Sequence, residues 1–577
     1  MSKIGNKRNR VMALLLVIAS IASQNVLVAN GAKVGKFLAK RSITEWTMDE
    51  AGTVSTNRDG IAYVADQMVV MFADGVSESR REELLKTVGG TVIGELNTLD
   101  MVQVQVNAGN YKELTQKCEQ LMEYEEVVDA AIDYVTEEEE EVNDPFQTQA
   151  EDYTLSWKKS GGRNWWLKMI DAPEAWEYSA QLQECKVGIV DVGFYVNHED
   201  LAENIADYKS MTNSAMDASL KSAHGTHVAG IIGAQADNGV GIAGINPKAK
   251  LYLRSTCDEK TGRQTTFSTY AAVADLVENQ GVKVINLSMG RQIALDKVPA
   301  TAKTAAKVIG KLLDKGYDFL LVQSAGNDGV DSVLNGKFSS ITSDTEVDGH
   351  TIEEIQAHKI VVGNMTEDKK LYHYLKTTSD GKQIEGGSNY GENVDIVAPG
   401  KSIYSCGAVT DGVSSYQNKT GTSMAAPMVT GVASLVWSAD PSLTAAEVKQ
   451  IVLEQTEQVA TSDFSNDTVG SYKVVNAKLA VCAALGIQEE AVVELQEEDV
   501  PNAKVPKHRV IKIKSKKVLK NGLLRITWKK NSKCKKYKVW ISAKKNSGYK
   551  LVKTVKGNKV TLKNGKQAKY IKIYGVS

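Results

Sequence analysis

The sequence predicts an α/β domain built on a parallel sheet, preceded by a small α+β unit of order βαββαβ and followed by a small all-β sandwich. Three observations carry that reading. From 165 to 486, short and nearly continuous apolar runs alternate with helical stretches, as strands buried on both faces of a parallel sheet do. From 60 to 136, strand-like and helix-like periods alternate within a much shorter span. From 509 to 577, short strand-like segments are separated by Lys-Asn-Gly and Lys-Gly-Asn turns, with no helical period. A chain of 577 residues has room for all three parts.

The elements follow in chain order. Lys3, Lys7, Arg8 and Arg10 precede an apolar stretch from Val11 to Ala22 that contains small residues at Ser20 and Ala22. This pattern predicts a secretory signal peptide over 1–32, hence a secreted protein. Apolar residues resume at Val26, so an uncleaved anchor is the alternative. Met68–Phe72 reads as a strand and Ser79–Val88 as a helix stopped by Gly89-Gly90. Thr91–Leu96 and Met101–Val106 read as strands. Asn110 caps a helix over Tyr111–Tyr124 with Glu113 at the capping-box position, and Val127–Ile132 is the last strand. Residues 137–164 open on an acidic run, Glu137–Glu141, which reads as solvated and open to cleavage.

In the central region the buried strands are Lys186–Val190, Leu251–Leu253, Val282–Leu287, Phe319–Val322 and Ile360–Val362. A linker follows over 487–508, acidic first and then marked by Pro501 and Pro506. The last strands read as Val510–Ile511, Leu523–Trp528, Tyr537–Ile541, Tyr549–Val552, Lys559–Leu562 and Tyr570–Ile573, with no seventh evident.

Composition narrows the function classes. An apolar content of 42% excludes a disordered chain. A mean hydropathy of −0.26 excludes a polytopic membrane protein. Six scattered cysteines with no CxxC do not make a disulfide scaffold. The chain carries a net −1, while residues 501–577 hold 25 Lys/Arg and no Asp or Glu, so the residues before them hold −26. Such a basic tail predicts contact with a polyanionic cell surface, or else a solvated spacer. No RNP, helix-turn-helix or zinc pattern is present, so specific nucleic-acid binding is not expected.

Three clusters in the central region carry chemistry. Val187-Gly188-Ile189-Val190-Asp191-Val192-Gly193 ends a buried strand on a carboxylate, and sites in parallel sheets gather at that end. Asp191 read by itself is also an ordinary strand-end residue. His224-Gly225-Thr226-His227-Val228-Ala229-Gly230 places two histidines in a tightly packed helix. Their spacing of three with no Glu between is not the H-E-x-x-H zinc motif, and a general-base reading needs only one of them. Gly421-Thr422-Ser423-Met424-Ala425-Ala426-Pro427 puts Ser423 where a loop enters an apolar helix running to about Trp437. There it is either a helix cap or a nucleophile whose neighbouring N–H groups face a developing oxyanion.

Taken together, the order Asp191, His224, Ser423 is that of the subtilisin-type triad. With Asn197–Leu201, Val284–Gly290, Ser324–Asn327 and Val397–Gly400 in register, the sequence resembles the subtilase family of serine endopeptidases. The resemblance implies a subtilisin-like fold and roles for particular residues. Ser423 is the nucleophile, His224 the general base and Asp191 its orienting carboxylate. Asn327 is the oxyanion donor, with His227 structural. Ser288, Met289 and Gly290, with Ser324, Ala325 and Gly326, line the substrate. The substrates implied are proteins or peptides.

The unit over 60–136 resembles the family's propeptide, a partner that folds and inhibits its own enzyme, removed by autoprocessing near Tyr134–Ala150. Many members bind structural calcium. Asp200 matches one ligand position, and Gln235–Gly241 resembles the associated loop. Val192 departs from the usual Thr or Ser, and Met428 stands where a His is common. The last segment, 509–577, loosely resembles a fibronectin type III-like module.

Overall fold

The computed structural model describes residues 46–47, 53–58, 61–136, 165–212, 223–236, 238–257, 264–290, 298–334, 341, 347, 349–377, 383–487, 492–493, 513–518, 524–530, 536–542, 550–562 and 570–576. The expected signal peptide, the segment 137–164 and most of the linker 487–508 lie outside them.

The N-terminal part has the expected order. It runs β1 (Ala62–Phe72), α1 (Glu78–Thr87), β2 (Thr91–Leu96), β3 (Met101–Gln105), α2 (Tyr111–Leu121) and β4 (Val127–Thr136). The strands are antiparallel in the order β2-β3-β1-β4. β1 is longer than its apolar run because Val54–Thr56 pairs with its first residues. The Ser77 hydroxyl caps α1 by accepting from the Arg80 N–H. Gly89, at φ +68°, takes the left-handed turn that ends it. At α2 the Asn110 side chain caps the Glu113 N–H as expected. The Glu113 carboxylate reaches one residue further back, to the Gly109 N–H at 2.8 Å.

The central domain is built on β5 (Cys185–Asp191), β6 (Ile205–Ser210), α3 (His224–Gly233), β7 (Ala249–Ser255), β8 (Gln264–Thr265), α4 (Thr266–Glu278), β9 (Val284–Leu287), α5 (Val298–Asp314), β10 (Leu320–Ser324) and β11 (Lys359–Met365). It continues through β12 (His373–Thr377), β13 (Gln383–Gly387), β14 (Ile396–Pro399), β15 (Ile403–Thr410), β16 (Val413–Lys419), α6 (Thr422–Ala439), β17 (Gln458–Thr461) and β18 (Ser471–Val474).

Nine strands form one sheet in the order β17-β18-β14-β11-β10-β9-β5-β7-β6. All neighbours are parallel except β17 and β18. Alternate residues of each strand serve opposite faces. Val187 and Ile189 pack with residues of α3 and α6, whereas Val190 packs with residues of α4 and α5. Both faces being covered is why these strands read as unbroken apolar runs.

Residues 486–577 form a separate compact unit. Its strands are β19 (Val492–Val493), β20 (Ile513–Val518), β21 (Leu524–Trp528), β22 (Lys536–Ser542), β23 (Lys550–Val555), β24 (Lys559–Leu562) and β25 (Tyr570–Val576). They make two sheets, β19-β24-β21-β20 and β23-β22-β25. Leu524, Ile526 and Trp528 of the first share an apolar cluster with Tyr537, Val539 and Ile573 of the second. The seventh strand that the sequence does not reveal is β19. It comes from within the acidic linker and pairs parallel with β24.

Candidate active site

Asp191 ends β5, and the N-terminus of α3 is fastened to the loop just beyond it. The Gly225 N–H donates to the Val192 carbonyl at 2.6 Å. The Thr226 N–H and hydroxyl both donate to the Gly193 carbonyl, and that hydroxyl accepts from the Tyr195 N–H. Only a residue without a side chain fits at 225. A Cβ there would lie 2.6 Å from the Phe194 ring and 2.7 Å from the Val192 carbonyl oxygen. This fastening brings His224 Nδ1 to 2.7 Å from Asp191 Oδ1, with both residues buried. The same carboxylate oxygen accepts from the Val192 N–H at 2.7 Å. Val192 in place of Thr or Ser leaves this geometry intact, because the contact uses its backbone. A carboxylate on Nδ1 fixes the imidazole so that Nε2 is its proton acceptor.

The second histidine does something else. His227 is buried, and its Nε2 lies 2.9 Å from the Ile403 carbonyl and 3.1 Å from that of Gln417. Two acceptors require Nε2 to carry the proton. Burial holds its pKa well below the usual imidazole value, so the ring is neutral. It ties α3 to the β15–β16 hairpin.

Ser423 is the second residue of α6. Pro427 lies four residues on and has no N–H to donate, so the Ser423 carbonyl lacks its helical partner. The Ser288 hydroxyl takes that place, donating to it at 2.9 Å. Asn286 Nδ2 in turn donates to the Ser288 oxygen. The Met289 carbonyl accepts from the Gln323 side chain at 3.1 Å. Ser288, Met289 and Gly290 thus form an extended segment pinned beside Ser423. Met428 is buried in the core, as expected from the sequence.

Asn327 follows β10 at the same sheet edge, on the loop of Ser324, Ala325 and Gly326. Its Oδ1 accepts from the Thr422 N–H at 2.8 Å and the Thr422 hydroxyl at 3.1 Å. With that oxygen held, the amide nitrogen lies 3.0 Å from where a Cβ on Gly421 would be.

Asn389 is a residue that sequence reasoning missed. It donates to the Ala325 carbonyl and accepts from the N–H groups of Asp328 and Val330, bracing the loop that carries Asn327. Its only sequence signal is a Ser-Asn-Tyr-Gly turn. Between Asn327 and Asn389 lies the β12–β13 hairpin. Its Gly387 N–H donates to the Asn327 carbonyl.

β8 is also missed by periodicity, being two residues long. It pairs antiparallel with β4, Gln264 opposite Thr136 and Thr265 opposite Val135. The N-terminal sheet therefore runs onto the central domain at the start of α4. Asp133 accepts from the Phe267 N–H there. Asp129 accepts from the Thr304 hydroxyl on α5, and burial pushes its pKa up. Lys307 donates to the Val128 carbonyl, Lys315 donates to that of Thr98, and Lys311 pairs with Asp74 at 2.7 Å and Asp100 at 3.0 Å.

Asp200 is buried, and its two oxygens accept from Asn238 Nδ2 at 2.7 Å and from the Ile242 N–H at 2.8 Å. The Asn238 oxygen is itself engaged by the Val240 N–H. The Tyr416 hydroxyl sits over Gly241, where a Cβ would meet it at 2.2 Å. These are donors, and burial pushes the Asp200 pKa up to about 7. Calcium requires six to eight oxygen ligands. No group of three or more His, Cys, Asp or Glu that could hold a metal occurs among the described residues; a calcium shell of backbone carbonyls around Asp200 would not need one.

The cysteines at 118, 185, 257, 406 and 482 are buried. Burial pushes the thiols of Cys118 and Cys185 up to about 12, so neither is a nucleophile. No described helix is long and apolar enough to cross a membrane.

Comparison with known proteins follows the same division. Residues 183–472 match the subtilase family (peptidase S8), and residues 49–130 match the fervidolysin N-terminal prodomain. Thermitase of Thermoactinomyces vulgaris is 27% identical over 333 residues, 56% of this chain and 99% of that protein. The major intracellular serine protease of Bacillus subtilis (strain 168) is 30% identical over 276 residues, 47% of this chain and 74% of that protein. The crystal structure of fervidolysin from Fervidobacterium pennivorans, described as a keratinolytic enzyme related to subtilisin, superposes with a TM-score of 0.51 at 20% identity. The match covers 92% of this chain and 72% of that one, and carries the fold alone.

Proposed function

The chain belongs to the subtilase family and is a serine protease with an N-terminal prodomain; from that premise we propose a secreted endopeptidase that hydrolyses peptide bonds through an acyl-enzyme and frees itself from its prodomain. The observation that carries the chemistry is the buried Asp191–His224 contact at 2.7 Å, on a helix that packs with the one opening at Ser423, whose backbone is held by Ser288.

In this mechanism Ser423 Oγ attacks the scissile carbonyl carbon while His224 Nε2 takes its proton. Asp191 stabilises the imidazolium through Nδ1. The oxygen of the tetrahedral intermediate accepts from Asn327 Nδ2 and the Ser423 N–H. The intermediate collapses as His224 gives its proton to the departing amine, leaving an ester on Ser423. Water then repeats the sequence, with His224 as base, and releases the acid. Ser288–Gly290 and the Ser324–Gly326 segment flank the substrate backbone as strand partners.

Support for the zymogen reading is the β4–β8 pairing, which leads the prodomain strand along the rim of the catalytic domain up to Thr136. The basic pattern at 3–10 with the apolar run after it supports secretion, and the basic C-terminal unit supports retention at a polyanionic surface. Intact mass of the wild type beside Ser423→Ala, both made without residues 1–32, tests this. The wild type is expected to lose the segment up to about Tyr134–Ala150 and to react with a fluorophosphonate. The variant is expected to do neither. A wild type that stays whole and unreactive overturns the reading.

A further inference from the structure

We propose that Asn389 is a positioning residue of the peptidase: its side chain fixes the backbone on both sides of Asn327 and so sets where the oxyanion donor stands. The inference rests on the reading of Asn327 as that donor. It goes beyond that reading by giving an effect on rate to a residue that belongs neither to the triad nor to the oxyanion pair.

Asn327 stands on a loop that does not hold its own shape. Gly326 and Gly329, one residue before it and two after, take φ of +103° and +67°. Glycine enters that region without steric penalty and leaves it as readily. β10 ends at Ser324, so the path of the loop is set by what lies beside it.

Beside it runs the segment from Gly387 to Tyr390. Asn389 Nδ2 donates to the Ala325 carbonyl at 2.9 Å, two residues before Asn327. Asn389 Oδ1 accepts from the Asp328 N–H at 3.0 Å and the Val330 N–H at 3.1 Å, one and three residues after it. One amide therefore closes the loop across Asn327. The backbone follows the same line. The Asn389 N–H donates to the Gly326 carbonyl at 2.7 Å, the Gly387 N–H to that of Asn327 at 3.2 Å and the Tyr390 N–H to that of Val330 at 2.9 Å. Asn389 is held in turn. Its carbonyl accepts from the Ser388 hydroxyl at 2.9 Å, and that hydroxyl accepts from the Asn364 N–H of β11 at 2.9 Å. The clamp is thus continuous with the main sheet. Asn389 is buried, where water competes least for such bonds.

Thr422 holds the other end of Asn327, through its side-chain oxygen. That contact fixes where the amide points, and the Asn389 clamp fixes where the backbone beneath it stands. A misplacement of about 1 Å costs on the order of 100-fold in rate. Removal of an oxyanion donor costs about 100- to 1,000-fold. Loosening the clamp should therefore cost less than losing the donor, and should matter only while the donor is present.

The test uses the full chain made without residues 1–32, as wild type, Asn327→Ala, Asn389→Ala and the double variant. For each, kcat and KM on a peptide anilide are measured, together with the rate of prodomain loss by intact mass. Asn389→Ala is expected to lower kcat by about 10- to 100-fold while KM stays within about threefold. Prodomain loss should slow by the same factor. In the Asn327→Ala background the same change is expected to lower kcat by less than about twofold, because no donor is left to misplace. Asn389→Asp keeps the two acceptor bonds and loses the one donated to Ala325. It should fall between wild type and the alanine variant, and it carries the cycle if alanine prevents folding. Equal losses in the two backgrounds make Asn389 a structural brace and overturn the proposal. A rise in KM at unchanged kcat overturns it too, as does an Asn389→Ala chain as fast as wild type. Each of these leaves the peptidase reading standing. A wild type that neither cleaves the anilide nor reacts with a fluorophosphonate overturns that reading and the proposal with it. An active wild type matched by Asn327→Ala overturns the assignment of Asn327, which leaves Asn389 no donor to position.

Discussion

The prodomain and the C-terminal unit are both small and rich in strands, and both involve lysines at their surfaces, yet they handle charge in opposite ways. At the prodomain, the lysines belong to α5 of the catalytic domain and the turn just after it, and meet partners from the other side. Lys311 sits between Asp74 and Asp100, and Lys307 and Lys315 reach the carbonyls of Val128 and Thr98. Val69, Met71 and Leu96 join the apolar cluster of α4 and α5. Charge there orients an apolar contact that is already present within the chain. In the C-terminal unit, 25 Lys/Arg stand in a segment without a carboxylate. The lesson is that at the prodomain a lysine row finds its counterpart within the same chain, on residues distant in sequence.

The sharpest way to separate the two regions is to stop the chemistry. Ser423→Ala should lower peptide hydrolysis by about a millionfold. It should leave the prodomain attached while the melting of the C-terminal unit is unchanged; intact mass and calorimetry read both. Asn327→Ala should slow external hydrolysis and release of the prodomain alike by about 100- to 1,000-fold. Steady-state kcat and the rate of mass loss check this, and unequal losses would mean that the two cleavages use different oxyanion donors.

Lys311→Ala probes the paired lysines. It removes two ion pairs, together about 1 kcal/mol since Asp74 is largely exposed. The lag before activity appears after self-cleavage should shorten by about fivefold. Lys517→Gln should leave that lag untouched. If both act alike, the contrast between the regions fails.

His227 gives a smaller, pH-dependent effect confined to the catalytic domain. Its folded pKa lies well below 6.5. Below pH 6.5 the unfolded chain therefore takes up a proton that the folded state refuses, and stability falls as pH falls, by about 1.4 kcal/mol per unit until the folded pKa is reached. His227→Gln should flatten the decline in melting temperature between pH 7 and 5, while leaving that of the C-terminal unit unchanged.

Much of this was legible in the sequence because it rests on local pattern. The buried strands of the central sheet are apolar on both faces and so stand out as runs. α1 and α2 are marked by Ser77, Asn110 and Gly89, whose side-chain oxygens or backbone freedom act within one turn. What escaped has no local signal. β8 is two residues long and exists because β4 lies beside it. β19 is an apolar pair inside an acidic stretch, a strand only through β24. Asn389 is distant in sequence from the loop it braces. The neighbours of Asp200, namely Asn238, Ile242 and Tyr416, come from two other segments, so its surroundings are not legible at its own position.

The sequence by itself determined the chemistry available: an aspartate at a strand end, histidines in a glycine-rich helix, a serine ahead of a proline, and a basic tail. Those features depend on residue type and on spacing over a few positions. The tertiary structure decided which of them meet. His224 and His227 differ by three residues on one helix. Only the first faces the end of β5, because Gly225 and Thr226 fasten that turn to the carbonyls of Val192 and Gly193, while the second turns toward β15 and β16. A hydrogen bond needs its partners within about 3 Å. Residues far apart in sequence reach that distance only when the whole sheet is assembled.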